Sequence, residues 1–261
     1  METIYGGGTM GITKHIEALE TAGRALAEAA GGAGPDAEVP TCPGWRVRDL
    51  LRHTTTVHRW ATTLVVEGRT SYHPGDGEPA LDGDELLAYY QEGHAALVTA
   101  LRAAPETLEC WTFLPAPSPL AFWARRQAHE TIVHRADAES ALGSGPGAVD
   151  PATAADGIDE LLCGLHGREK SRVRTPEERV LRVRTTDTGD LWNVRLSAAE
   201  PPRAERGTPA TAGEWGPADA EFTGPADRLY LALWNRLPAD AVTVTGEEAL
   251  ARLWRENSAV V

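Results

Sequence analysis

Between Pro119 and Gly143 the chain runs from Leu120 to Leu142 without a proline or a glycine. Proline at the entry and glycine at the exit punctuate a helix, so the segment is read as one long helix. Side chains at i, i+3, i+4 and i+7 of a helix share a face. Counted from Trp123, that face passes through Arg126 or Gln127, Glu130, Val133, His134, Asp137 and Ala141. A stripe that should be apolar thus carries a carboxylate, an imidazole and a second carboxylate. Burying such groups is costly unless they are paired or bind a cation. Two readings follow: an interior salt-bridge network with Arg126 as counter-ion to Glu130, or a metal site on Glu130 and His134.

A second helix decides between them. The stretch from Val47 to Glu67, closed by Gly68, has an apolar stripe of Leu50, Val57, Trp60 or Ala61, and Leu64. His53 falls on that stripe and is expected to point into the core, with His58 at the edge. Helices that turn nitrogen and carboxylate groups toward one another are how bundles build metal sites. Two histidines and a glutamate suit zinc with an open fourth position. The metal reading, on His53, Glu130 and His134, is therefore preferred to a packed histidine beside a salt bridge.

Two further helices complete the first half. Gly11 to Ala30 keeps the helical period through Ile12, Ile16, Leu19 and Leu26 and is ended by Gly31, Gly32, Gly34 and Pro35. Gly83 to Ala103 directs Leu87, Tyr90, His94, Leu97 and Leu101 inward, with His94 read as a packed residue. Cys110, beside Trp111, is read as packing. Four helices with modest connections form a four-helix bundle. The Gly/Pro-rich Ser144 to Asp150 is the boundary, which sets domains of 10–145 and 151–261.

Beyond the boundary the period changes. A helix near Ala152 to Leu165 precedes two alternating runs, Arg179 to Thr185 and Leu191 to Leu196, joined by a turn at Asp187 to Asp190. Ser197 to Pro217 is loop by composition. A strand at Asp219 to Phe222, a helix from Pro225 packing through Leu229, Leu233, Trp234 and Leu237, a strand at Val242 to Thr245 and a helix from Glu247 to Arg255 follow. The fold class is α+β.

The 261 residues carry a net charge of −13, against a nucleic-acid partner. No stretch approaches a membrane span. Cys42, Cys110 and Cys163 are too scattered for a disulfide framework or a cysteine zinc site. The Gly-rich start has no basic region followed by an apolar run and leaves Met10 as a candidate first residue. A reduced, cytoplasmic setting is expected.

The string Val39-Pro-Thr-Cys-Pro-Gly-Trp45, then Asp49-Leu-Leu-Arg-His53, then Arg125-Arg-Gln-Ala-His-Glu130-Thr-Ile-Val-His134-Arg-Ala-Asp137, resembles the mycothiol-dependent maleylpyruvate isomerase family. The resemblance continues through Asp219 to Leu237 and Val242-Thr-Val-Thr-Gly. It implies an N-terminal DinB-like four-helix bundle and a smaller sterol-carrier-like α+β domain. It also implies a divalent metal, usually zinc, on His53, Glu130 and His134, mycothiol as co-substrate, and an actinobacterial source, which the Arg- and Ala-rich composition fits.

The chemistry has its own logic. A thiol coordinated to a divalent ion is deprotonated, whereas a free thiol with a pKa near ~8.5 is mostly protonated at neutral pH. The thiolate can add to an activated double bond and leave after rotation, giving cis–trans isomerisation, or stay attached, giving S-transfer. Asp137 is a candidate acceptor orienting an imidazole, and Arg126 and Arg236 are candidates to bind a substrate carboxylate. The other readings are a metal-dependent hydrolase whose open position activates water and a non-catalytic metal-binding module. A monomer or weak homo-oligomer is expected.

Overall fold

A computed structural model describes residues 10–208, 210 and 215–260. The Gly-rich stretch before Met10 lies outside the described residues. The chain divides into two compact units, Gly11–Gly147 and Ala148–Val261, the latter with Met10.

The first unit is helical: α1 (Ile12–Ala33), α2 (Val47–Glu67), α3 (Gly83–Ala103) and α4 (Pro119–Leu142). α1 packs against α3 and α4, and α2 packs against the same two, so α1 and α2 are diagonal. The caps explain the bounds. Asp49 Oδ2 accepts the Arg46 N–H at 2.9 Å before α2, and Ser118 Oγ accepts the Ala121 N–H at 3.1 Å before α4. Gly68 and Gly143 close these helices in the left-handed conformation. α1 runs through Gly31 and Gly32 to Ala33, three residues past the expected stop at Ala30, with Gly34 as its cap. Leu19, Leu26, Leu50, Leu64, Leu86, Leu97 and Trp123 are fully buried, each leucine contributing about 1.5–3 kcal/mol.

One expectation for α2 is reversed. Its buried residues are Val47, Leu50, Leu51, Thr54, Thr55, His58, Ala61, Leu64 and Val65. His58 is therefore the core histidine and His53 stands at the margin, its side chain 34% exposed. Thr54 and Thr55 hide the true phase of the stripe, because burial by threonines that satisfy or hide their hydroxyls leaves no apolar signal. In α3, Tyr90, His94, Leu97 and Leu101 are buried as expected, while Leu86 rather than Leu87 is fully covered. Cys110 is a buried free thiol.

The second unit is α+β. α5 (Pro151–Asp159) continues into a π-helical segment, Glu160–Leu165. The strands β1 (Arg179–Thr185), β2 (Leu191–Leu196), β3 (Arg203–Gly207), β4 (Ala220–Gly224) and β5 (Thr243–Gly246) form one sheet in the order β3-β2-β1-β4-β5. β1 and β4 are parallel, and the other pairs are antiparallel. α6 (Ala226–Leu233) links β4 to β5 and packs on α5, and α7 (Glu248–Asn257) follows β5. β3 lies within the segment expected to be loop. It is an edge strand of Arg, Ala, Glu, Arg and Gly with no residue fully buried, so it lacks the apolar alternation that announces a strand. Residues 209 and 211–214 of that segment lie outside the described residues. No helix among the described residues is long and apolar enough to cross a membrane.

Candidate metal centre

Three segments of the helical unit place the site. α4 contributes Arg126, Glu130, His134 and Asp137, successive turns of one face. α2 contributes His53 near its N-terminal end, and the loop before α2 contributes Thr41 and Trp45. That loop is compact: Val39 N–H bonds Trp45 O at 2.9 Å, Cys42 N–H bonds Val39 O at 2.9 Å, and Trp45 N–H bonds Cys42 O at 3.0 Å. Gly44 has a φ of 86°, a left-handed conformation open to glycine and strained for most side chains, which turns the chain so that Trp45 faces the site.

One ligand atom each from His53, Glu130 and His134 lie within 4.8 Å of one another. Glu130 Oε1 is 3.3 Å from His53 Nε2 and 3.2 Å from His134 Nε2. Its other oxygen, Oε2, accepts from Arg126 Nη2 at 3.0 Å. His134 Nδ1 lies 2.8 Å from Asp137 Oδ2, and Thr41 Oγ1 donates to Asp137 Oδ1 at 2.5 Å. The His53 and His134 rings meet edge-on with centroids 5.0 Å apart. Trp45 lies beside both, 5.2 Å from His53 and stacked at 6.3 Å on His134. Exposure falls inward, from His53 through Glu130 and His134 to a fully buried Asp137.

The donor set fits a cation. An ionised Asp137 only accepts, so His134 Nδ1 carries the proton. Neutral His134 then aims the lone pair of Nε2 at Glu130 Oε1, another acceptor. Two acceptors 3.2 Å apart need a positive charge between them. Without a metal, His134 takes a second proton: burial pushes its pKa down, but Asp137 and Glu130 outweigh burial and raise it to about 9. Burial pushes the Glu130 carboxyl up, yet hydrogen bonds with His134 and His53 and the charge of Arg126 hold it well below its ordinary value.

Apart from Arg126, the other candidates stand elsewhere. Arg126 is buried against Glu130. Arg236 belongs to the second unit, where Nη1 donates to Trp234 O at 2.8 Å. His58 Nε2 donates to Thr131 Oγ1 at 2.9 Å, because that hydroxyl spends its own proton on Gln127 O. Burial pushes His58 down to about 3, so it stays neutral in the core. His94 bonds Leu19 O at 3.1 Å and is packed, as expected. His129 is wholly buried beside His15, their ring centroids 5.9 Å apart, and is not one of the His53, Glu130 and His134 group. Thr41 and Trp45 were missed as site residues. Their only signal was membership of the Val39-to-Trp45 string, which carries no chemistry until the loop closes on α4.

Comparison with known proteins agrees with this architecture. Residues 16–139 match the family model of the mycothiol maleylpyruvate isomerase N-terminal domain, and residues 152–253 match that of its C-terminal domain. Two solved structures of the mycothiol-dependent maleylpyruvate isomerase share the fold, with TM-scores of 0.60 and, for a histidine-to-alanine variant, 0.58. Both are 14% identical, and the alignments cover 91% of this chain and 95% of theirs. No curated protein matches the chain.

Proposed function

The chain belongs to the mycothiol maleylpyruvate isomerase family, and from that premise we propose that it is a metal-dependent enzyme that uses mycothiol as co-substrate. His53, Glu130 and His134 would hold the ion, and two imidazoles with one carboxylate suit zinc. The observation that carries the reading is the convergence of three ligand atoms on one point, with the second nitrogen of His134 already committed to Asp137. A divalent ion here would favour the thiolate of a bound thiol over the thiol.

The chain's own residues prepare that chemistry. Asp137 fixes the tautomer and ring plane of His134, and Thr41 fixes Asp137. Arg126 occupies Glu130 Oε2 and leaves Oε1 facing the histidines, which makes it a positioning residue. Trp45 covers the two rings on one side and limits water there. The half-exposed flank of His53 leaves the approach for the thiol. The electrophile is a small molecule with an activated double bond, taken through addition and release as an isomerisation or retained as an S-transfer product.

The test replaces zinc with cobalt and titrates mycothiol into the protein. A saturable sulfur-to-metal charge-transfer band is expected. His53→Ala should abolish it, because two ligands on one helix cannot define the ion's geometry. His129→Ala should retain it. A protein that loads cobalt yet gives no band with any thiol refutes the thiol mechanism.

A further inference from the structure

The metal centre lies between α2 and α4. On the other edge of the bundle, α1 and α3 flank a cavity of about 420 Å³, the size of a small-molecule site. Small residues form its floor: Gly23 and Ala27, one turn apart on α1, and Ala95 and Val98, about one turn apart on α3. His94 stands in its wall with 6% of its surface exposed.

One nitrogen of His94 is in use and the other is spare. Nε2 lies 3.1 Å from Leu19 O, and a carbonyl only accepts, so Nε2 carries the proton. Burial holds the pKa of the ring below its ordinary value, so His94 is neutral and Nδ1 offers a lone pair. Nδ1 bonds no described residue and keeps accessible surface in the cavity wall. Gly23 permits this arrangement, because a Cβ there would lie 2.2 Å from Nε2. Tyr90 stacks on the ring with centroids 6.2 Å apart and donates to Gly23 O at 3.2 Å, which holds the ring against α1. A preset acceptor in the wall of a recess selects a ligand that brings a donor.

The rim says which donor. Glu20 is paired with Arg102 at 2.6 Å. Arg24 and Glu28, one turn apart on α1, line the same cavity and make no hydrogen bond or ion pair among the described residues. The unpaired charges of the rim are thus one guanidinium and one carboxylate, beside one lone pair. A simple anion would leave Glu28 unmet, and a simple amine would leave Arg24 unmet. An ammonium and a carboxylate on one carbon answer all three: the carboxylate pairs with Arg24, and the ammonium, with three donors, serves Nδ1 and Glu28. The alanine and valine floor suits a short apolar side chain. We propose that the cavity between α1 and α3 binds a small aliphatic α-amino acid, at a site separate from the metal centre.

The experiment titrates L-valine into the full-length protein carrying isotope-labelled histidine, followed by calorimetry and by the Nδ1 resonance of His94. Saturable binding that moves this resonance is expected. Isobutylamine and isovalerate keep the side chain and lose one charge each, and should bind roughly tenfold more weakly. Arg24→Gln should weaken valine by a similar factor and leave isobutylamine unchanged. Glu28→Gln should weaken valine and leave isovalerate unchanged. Both residues are exposed, so melting temperatures should stay close to the parent. No saturable binding of valine, isovalerate as tight as valine, or valine binding indifferent to either variant overturns the proposal. A His94 resonance that stays still at saturation also overturns it, by placing valine elsewhere. Because amino acids chelate metals, the titration is repeated in His53→Ala. Binding retained there supports the α1–α3 site, and binding lost there moves the amino acid to the metal centre and overturns the proposal.

Discussion

Asp137 Oδ2 lies 2.8 Å from His134 Nδ1, and Asp137 itself is wholly buried. A buried carboxylate is costly unless it is paired, and the partners of Asp137 are the imidazole one turn before it and the Thr41 hydroxyl. Asp137 dictates which nitrogen of His134 keeps its proton and therefore which one offers a lone pair. Losing such a partner typically lowers metal affinity about 10–100-fold. Asp137→Ala should show that loss in competition with a chromophoric chelator. Asp137→Asn, whose carbonyl still accepts from Nδ1, should recover most of it. Equal zinc affinity in all three proteins would assign Asp137 to packing alone.

Metal content is the next expectation. Protein prepared without chelator should carry about one divalent ion per chain, zinc by preference for this ligand set. Stripping it should lower the melting temperature, and zinc at about 100 times its Kd should restore about 2.7 kcal/mol. Less than about a tenth of an equivalent, with no thermal shift on adding zinc, would return the cluster to a salt-bridge network with His134 doubly protonated.

His53, Glu130, His134, Asp137, Arg126, Thr41 and Trp45 all belong to the unit Gly11–Gly147. A chain of residues 10–147 should therefore fold and bind zinc on its own, with some loss of stability. Circular dichroism and elemental analysis of that fragment check this. A fragment unfolded even with zinc would show that the boundary near Ser144 to Asp150 does not separate folding units.

How much of this was legible in the sequence follows from local signals. The bounds of α2 and α3 are those expected, since Gly68 and the residues about Asp82 and Ala104 punctuate strongly. The phase of α2 was not legible, because Thr54 and Thr55 replace apolar residues in its buried stripe and hand the core position to His58 instead of His53. That error left His53 in the expected ligand group while misplacing it: it meets Glu130 from the margin and not from the core. β3 was illegible because an edge strand needs no buried residues. Thr41 was illegible for another reason, since it acts on a residue 96 positions away and only the folded chain reveals that pairing.

The last expectation concerns pH. His166, in the second unit, is 2% exposed, bonds Ser171 Oγ at 2.9 Å, and meets Trp254 with ring centroids 4.8 Å apart. Burial pushes its pKa from 6.5 to about 4. In acid the unfolded chain therefore binds a proton that the folded chain refuses, and stability rises with pH wherever the unfolded state binds more protons. The contribution of His166 is fully present above pH 6.5, is lost progressively down to about pH 4, and is constant below. The difference amounts to about 3 kcal/mol at 1.36 kcal/mol per pKa unit. His166→Gln can still bond Ser171 but does not titrate. Urea unfolding at pH 7 and pH 4.5 should show the parent losing more stability than this variant by roughly 2–3 kcal/mol, carboxylates elsewhere affecting both alike. Parallel losses in the two proteins would mean that the folded state admits the proton, with Trp254 moving aside to accommodate an imidazolium.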